Sequence, residues 1–323
     1  MGDLKQIAGI KDYTFNEGKA KHVRALELYS SGGLELTVLP DRGMDIVSLK
    51  YKGINISYLS KTGIVSPEYF SEDGVKGFFK NFYAGFLTTG GLSYMGAPSC
   101  VDGRKLGLHG VISNTPAYNV CYTDNYFKED SLVVTGKVKE AEVFGNHLIL
   151  TRKIKYDKKK STIYIHDNIK NLNYEKSSFM ILYHINFGYP FLSPDLNINI
   201  PSKKVISRDK NSVIEKYSTI SEPSPHKKEE VFFHKMNPDK NDTVKITLKN
   251  TKLKIGIEIT YLYKDLPYLT QWKSMKSSEY VLGIEPGNYN VLGKRDAIEK
   301  NKLTYLKPLE EKNIKLKIRF FDI

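Results

Sequence analysis

The chain has 323 residues, with 49 Lys and Arg against 36 Asp and Glu, for a formal net charge of +13. Hydrophobic residues make up 40% and include 22 Tyr and 15 Phe, enough to bury a large core, which excludes a disordered chain. No run approaches ~18 apolar residues, the first residues hold no apolar stretch, and two Cys make neither a disulfide framework nor a thiolate metal site. The expectation is a soluble, cytoplasmic protein without a membrane partner.

Period-two alternation dominates and predicts strands in chain order. The first three cover 22–29, 33–39 and 44–51, with Ser31-Gly32-Gly33 as a turn. Residues 66–82 have room for one or two short helical turns. Strands follow at 131–139, 146–156, 161–169 and 177–188, punctuated by Asp157 with its lysines and by Asn171-Leu172-Asn173. The polar stretch 207–230, with Pro223 and Pro225, reads as a long excursion loop. Strands at 243–249, 252–262, 279–285 and 311–320 complete the series. Many short strands and few helices predict a mainly β fold, a sandwich or barrel, as one domain over 1–323.

The positive charge is spread along these strands. Lys252, Lys254 and Glu258 alternate with Leu253, Ile255, Ile257 and Ile259; Lys315, Lys317 and Arg319 alternate with Ile314, Leu316, Ile318 and Phe320. Such lysines are the wet faces of half-buried strands. Nucleic acid is therefore not the expected partner, while small anions such as sugar phosphates stay open.

Three segments break the alternation with unusual polar content. In Gly107-Leu108-His109-Gly110 the glycines let the backbone turn and present the imidazole, or hold it in a local hydrogen bond. In the stretch from Leu182 to Pro190, His184 and Asn186 share one strand face, while Phe179, Ile181, Tyr183, Ile185 and Phe187 share the other. In the third segment Gly283 and Glu285 lie on one face, with Leu282 and Ile284 on the other. Gly283 leaves room beside Glu285, and Pro286-Gly287 ends the strand. A carboxylate there can act as a base with a raised pKa, or simply cap a strand end in a salt bridge. Two histidines and a carboxylate make an acid/base set without a nucleophile. The chain has no Gly-x-Ser-x-Gly, no P-loop and no close His pair for a metal.

At these segments the sequence resembles the galactose mutarotase-like superfamily, and most closely its bacterial aldose 1-epimerase-like branch known as DUF4432. Leu108-His109-Gly110, the stretch His184 to Pro190, and Gly283-Ile284-Glu285-Pro286 carry the match in order. Leu39 to Ile46, Val231-Phe232-Phe233-His234, Leu266-Pro267-Tyr268 and Gln271-Trp272-Lys273 are further similar stretches. The likeness runs from about residue 35 to 290; the ordered set is specific, and no single tetrapeptide is.

The resemblance implies a β-supersandwich of large antiparallel sheets with a sugar site on a concave face. It implies interconversion of the α and β anomers of an aldose by ring opening and closure, with no cofactor and no metal. His184 would protonate the ring oxygen and Glu285 would take the proton of the anomeric hydroxyl. His109, Arg42, Asn186, His234, Gln271 and Asn288 are the residues expected to bind the sugar. Trp272 would offer a ring face to the sugar or, more simply, join the core. Aldose 1-epimerases carry an Asn-Arg pair before the Leu-His-Gly; here the stretch reads Phe82-Tyr83-Ala84-Gly85-Phe86, and Arg42 stands as the replacement, or as a paired turn arginine. A carbohydrate-binding protein without turnover and a sugar-phosphate epimerase are the alternatives. An exposed sheet edge could pair into a homodimer.

Overall fold

A computed structural model describes residues 2–123, 130–209 and 213–323. Among the described residues two large antiparallel sheets face each other. The larger has twelve strands. Ten of them run in the order Ala8–Thr14, Arg24–Ser30, Leu34–Leu39, Asp45–Tyr51, Leu87–Leu92, Ser177–Phe187, Glu279–Gly287, Tyr268–Lys276, Glu229–Met236, Ser202–Ser207, and Ile54–Asn55 and Thr304–Leu306 pair off this path with Asp45–Tyr51 and Ser177–Phe187. The second has eight, in the order Ala117–Thr123, Ser131–Ala141, His147–Asp157, Thr162–Asn171, Glu311–Asp322, Ile255–Leu262, Thr243–Asn250, Leu196–Asn199. This is the large-sheet β architecture expected from the sequence.

All eleven predicted runs are strands, with boundaries displaced by no more than three residues. The alternation is cleanest in the eight-stranded sheet. There Leu148, Leu150, Ile154 and Tyr156 face the core, and Lys153 and Lys155 face outward. Leu87–Leu92 escaped the pattern because both its faces are covered, and it is buried at every position. Its Gly91 has φ +134°, and a Cβ there would lie 2.4 Å from the Met180 carbonyl oxygen. That glycine is a tight packing point between strands. The 66–82 stretch forms a 3-10 turn at Pro67–Tyr69 and a helix at Gly74–Asn81. The 207–230 excursion holds the short turn Ile214–Lys216; its residues 210–212 lie outside the described ones.

Ser177–Phe187 is the central element for function. All eleven of its residues are buried. Phe179, Ile181, Tyr183, Ile185 and Phe187 join the core between the sheets. On the other face Met180 and Leu182 pack with Met95 and Tyr289, next to His184 and Asn186. One strand thus supplies core on one side and polar chemistry on the other.

A buried ionic cluster joins the two sheets. Arg152 donates to both carboxylate oxygens of Asp167 (2.9 and 2.7 Å), to Asp45 Oδ1 (3.0 Å) and to Thr89 Oγ1 (2.8 Å). Tyr183 donates to Asp167 at 2.7 Å. Among the described residues no helix is long and apolar enough to cross a membrane.

Candidate active site

Strand register assembles the site. Ser177–Phe187 pairs with Glu279–Gly287 through Leu182↔Gly287 and Ile185↔Ile284, which sets His184 opposite Glu285. On its other side Glu285 faces Thr270, and His184 faces Thr88. One row across four strands therefore reads Thr88, His184, Glu285, Thr270. The next row reads Asn186, Gly283, Trp272. Gly283 has no side chain to fill the space between Glu285 and Trp272.

His184 Nε2 and Glu285 Oε1 are 3.1 Å apart, with both side chains buried. The approach is close without being aligned as a hydrogen bond, and Oε1 has no hydrogen-bond partner. Burial pushes the Glu285 carboxyl well above its ordinary range; the nearby Glu229 charge adds to the rise, and Arg208 opposes it. Burial first, and then the charge of His109 beside it, lower His184 to about 3. His109 is lowered to about 4 by burial. Desolvation disfavours every charged form here, so the pair rests uncharged, with the carboxyl protonated and the imidazole neutral.

These groups line a pocket of about 290 Å³. The rings of Trp272, Phe82 and His109 surround His184, with centroids 5.5, 5.4 and 5.8 Å away. Phe78 lies 5.1 Å from His109. Phe78 and Phe82 come from the helix Gly74–Asn81 and the residue after it, so the predicted short turns close one wall. His109 has φ +60°, donates its N–H to the Gly96 carbonyl at 2.9 Å and accepts from Gly91 N–H at 3.0 Å. The bend between glycines does present the imidazole to the pocket. Arg208 and Glu229 stand at the rim; they pair at 2.9 Å, and Trp272 Nε1 donates to Glu229 at 3.0 Å. Among the described residues no group of three or more His, Cys, Asp or Glu is arranged to hold a metal ion.

His109, His184 and Glu285 come together; the other five expected sugar contacts do not line this pocket. Arg42 is buried in a turn and donates to the carbonyls of Ser113 (2.7 Å), Val65 (2.5 Å) and Asn81 (3.0 Å), beneath the Tyr83 ring. It neither reaches the pocket nor pairs with a turn carboxylate. Gln271 and His234 hydrogen-bond each other at 3.1 Å, with Ser202 and the Tyr217 carbonyl taking their remaining groups. Gln271 alternates with Thr270 and Trp272, so it lies on the opposite, core-facing side of the sheet. Asn288 bridges the backbone of Phe179 and Ile181. Asn186 lies on the site face but donates to the Ala84 and His184 carbonyls.

Thr270, Phe78, Phe82 and Arg208 were missed, and Trp272 stands on the pocket wall, not in the core. The signal for Thr270 and Trp272 was available: they share strand parity with each other, not with Gln271. Phe78 and Phe82 carry no such signal, because a four-residue helical spacing of aromatics reads as core.

The profile of a family described as a domain of unknown function, DUF4432, matches residues 20–320. No curated protein matches the chain in sequence. A candidate aldose 1-epimerase from Klebsiella pneumoniae superposes with a TM-score of 0.90 at 24% identity, covering 97% of this chain and 83% of that one. A galactose mutarotase-like protein from Clostridium acetobutylicum gives 0.68 at 15%, covering 98% and 100%. The galactose 1-epimerase of Lactobacillus acidophilus gives 0.60 at 11%, covering 98% and 99%. At these identities the likeness is one of fold.

Proposed function

The chain belongs to the DUF4432 family, and from that premise we propose that it is an aldose 1-epimerase-like isomerase acting on a carbohydrate with a free anomeric centre. One observation carries the reading: an imidazole and a carboxyl group, both buried, meet at 3.1 Å on the floor of a pocket of monosaccharide size. Sugar ring opening needs a proton delivered to the ring oxygen and another removed from the anomeric hydroxyl. A pair holding one proton between two adjacent groups supplies both.

A proton shift across the 3.1 Å contact readies His184 as acid and Glu285 as base. His184 gives its proton to the ring oxygen as the C1–O bond breaks. Glu285 takes the hydroxyl proton as C1 becomes a carbonyl. Rotation about C1–C2 and closure on the other face, with the two roles exchanged, returns both protons and yields the other anomer. His109 would hold a sugar hydroxyl, and Trp272 would offer its ring face to the sugar's C–H groups. The low-dielectric pocket strengthens each of these polar contacts.

The test is anomer exchange by NMR saturation transfer across a panel of aldoses, with wild type beside Glu285→Gln and His184→Asn. Exchange of at least one sugar is expected, reduced roughly 10²–10⁴-fold in either variant. Sugar binding without exchange in the wild type would make the chain a carbohydrate-binding protein on this scaffold.

A further inference from the structure

The catalytic pocket opens into a second, larger cleft of about 750 Å³. Phe79, Phe82, Trp272 and Glu229 line both spaces, so the two are continuous past the Trp272 ring. Tyr58 adds a further ring to the cleft wall. The inner pocket has room for one sugar ring, and the cleft offers space for a substituent on that ring.

The cleft is cationic. Four lysines line it, Lys61, Lys227, Lys228 and Lys276, together with His226. Its two carboxylates are already engaged. Glu279 is shared by Lys61 and Lys276, and Glu229 is held by Arg208 and Trp272. Lys227 and Lys228 have no carboxylate within ion-pair distance among the described residues. Their segment is tied down beside them: Ser224 N–H donates to the Met275 carbonyl at 3.0 Å, and Ser277 N–H to the Ser224 carbonyl at 3.2 Å. Two lysines without a carboxylate partner thus line a cleft whose aromatic wall continues into the pocket of His184 and Glu285.

We propose that the substrate is an aldose bearing an anionic group at the end remote from its anomeric carbon, seated in this cleft by Lys227 and Lys228. The anomeric hydroxyl must stay free for ring opening, which excludes a charged group on it, and the cleft lies beyond Trp272 from the His184–Glu285 pair, which points the charge to the far end. This inference rests on the mutarotase reading for its orientation. A phosphate ester and a sugar carboxylate share the chemistry, since either offers oxygens to an ammonium group.

Trp272, the one tryptophan in the sequence, stands at the junction and reports binding without turnover. Its fluorescence is titrated with hexose 6-phosphates, hexuronates, the parent neutral hexoses and inorganic phosphate. A phosphate ester or a uronate is expected to bind about tenfold more tightly than its neutral parent. The preference should shrink between low and high salt and vanish in the double variant Lys227→Gln/Lys228→Gln, with neutral hexose binding unchanged. Which of the two anions binds identifies the substituent. Equal affinity for charged and neutral sugars, a preference that survives the double substitution, or no binding of any anionic sugar overturns the proposal. The same samples are followed by saturation transfer. Exchange of neutral aldoses without anionic preference overturns the cleft assignment alone. Lysine-dependent binding of an anionic sugar without exchange sustains the cleft and overturns the mutarotase reading alone.

Discussion

A Cβ placed on Gly283 would lie 2.7 Å from Glu285 Oε1 and 3.2 Å from His184 Cε1. The missing side chain is therefore what lets the carboxylate reach the imidazole. In Gly283→Ala the backbone is undisturbed, because Gly283 has ordinary extended geometry within Glu279–Gly287. The carboxylate has to turn away instead. We expect a melting temperature close to wild type and a loss of anomer exchange of about 10²-fold, the usual consequence of a catalytic group displaced by about an ångström. An unchanged exchange rate would show that the pair does not need its present contact.

The pH profile follows from the pair's shared proton. His184, lowered to about 3, stays neutral above that pH, and Glu285, raised by burial and then by Glu229, keeps its proton well past the ordinary carboxylate range. The one-proton state thus spans the acidic range up to the raised Glu285 value. kcat/KM should be flat across that span and fall about tenfold per pH unit above it, with both limbs belonging to the pair. Glu229→Gln removes a negative charge that favours the protonated form and frees Arg208, which favours the ionised form. The alkaline limb should therefore move to lower pH. A limb that stays in place would remove Glu229 from the electrostatics of the site.

Arg42 acts on the pocket from a distance. Its guanidinium ties the Asn81 carbonyl, at the end of the helix that supplies Phe78, to the carbonyls of Val65 and Ser113. A lysine has one ammonium group and cannot span three carbonyls on three segments. Arg42→Lys should cost roughly 1–3 kcal/mol of stability through the unsatisfied carbonyls. It should also raise KM several-fold with a smaller change in kcat, because the aromatic wall loosens while His184 and Glu285 remain on their strands. A direct sugar contact would instead lower kcat/KM with no loss of stability, so urea unfolding beside steady-state kinetics separates the two roles.

The strands and the three candidate residues that meet in the pocket, His109, His184 and Glu285, were legible because each leaves a local mark. Alternation marks a strand with one wet face, and His184 and Glu285 stand on polar faces where lysines and threonines are usual. The rest of the pocket wall was not legible, because it depends on strand parity and on partners far away in sequence. Gln271 and His234 look like binding groups one at a time, yet they face the core and satisfy each other. Arg42 reads as a ligand clamp until Ser113, Val65 and Asn81 are known to surround it. Leu87–Leu92, covered on both faces and reading Leu-Thr-Thr-Gly-Gly-Leu, carries no alternation for a sequence reading to find.

Arg152 is the last case, and here stability is the readout. It is fully buried between Asp45 and Asp167, with one strand of the larger sheet on either side of Thr89. Replacing it with methionine keeps most of the volume and leaves two buried carboxylates without their cation. Breaking such a cluster by removing one partner costs roughly 3–5 kcal/mol. The deficit should depend on pH with a definite sign. Asp45 is raised to about 6, because its burial outweighs the Arg152 charge and the Thr89 hydrogen bonds that lower it. A carboxyl whose folded pKa lies above its unfolded value contributes stability at low pH and loses it as pH rises through the folded value. Without Arg152 the folded value climbs further, so protonation relieves the variant at pH 5 and not at pH 8. Urea midpoints of wild type and Arg152→Met should therefore diverge as pH rises from 5 to 8. A gap that is constant across this range would mean that the variant fails through lost packing and not through stranded charge.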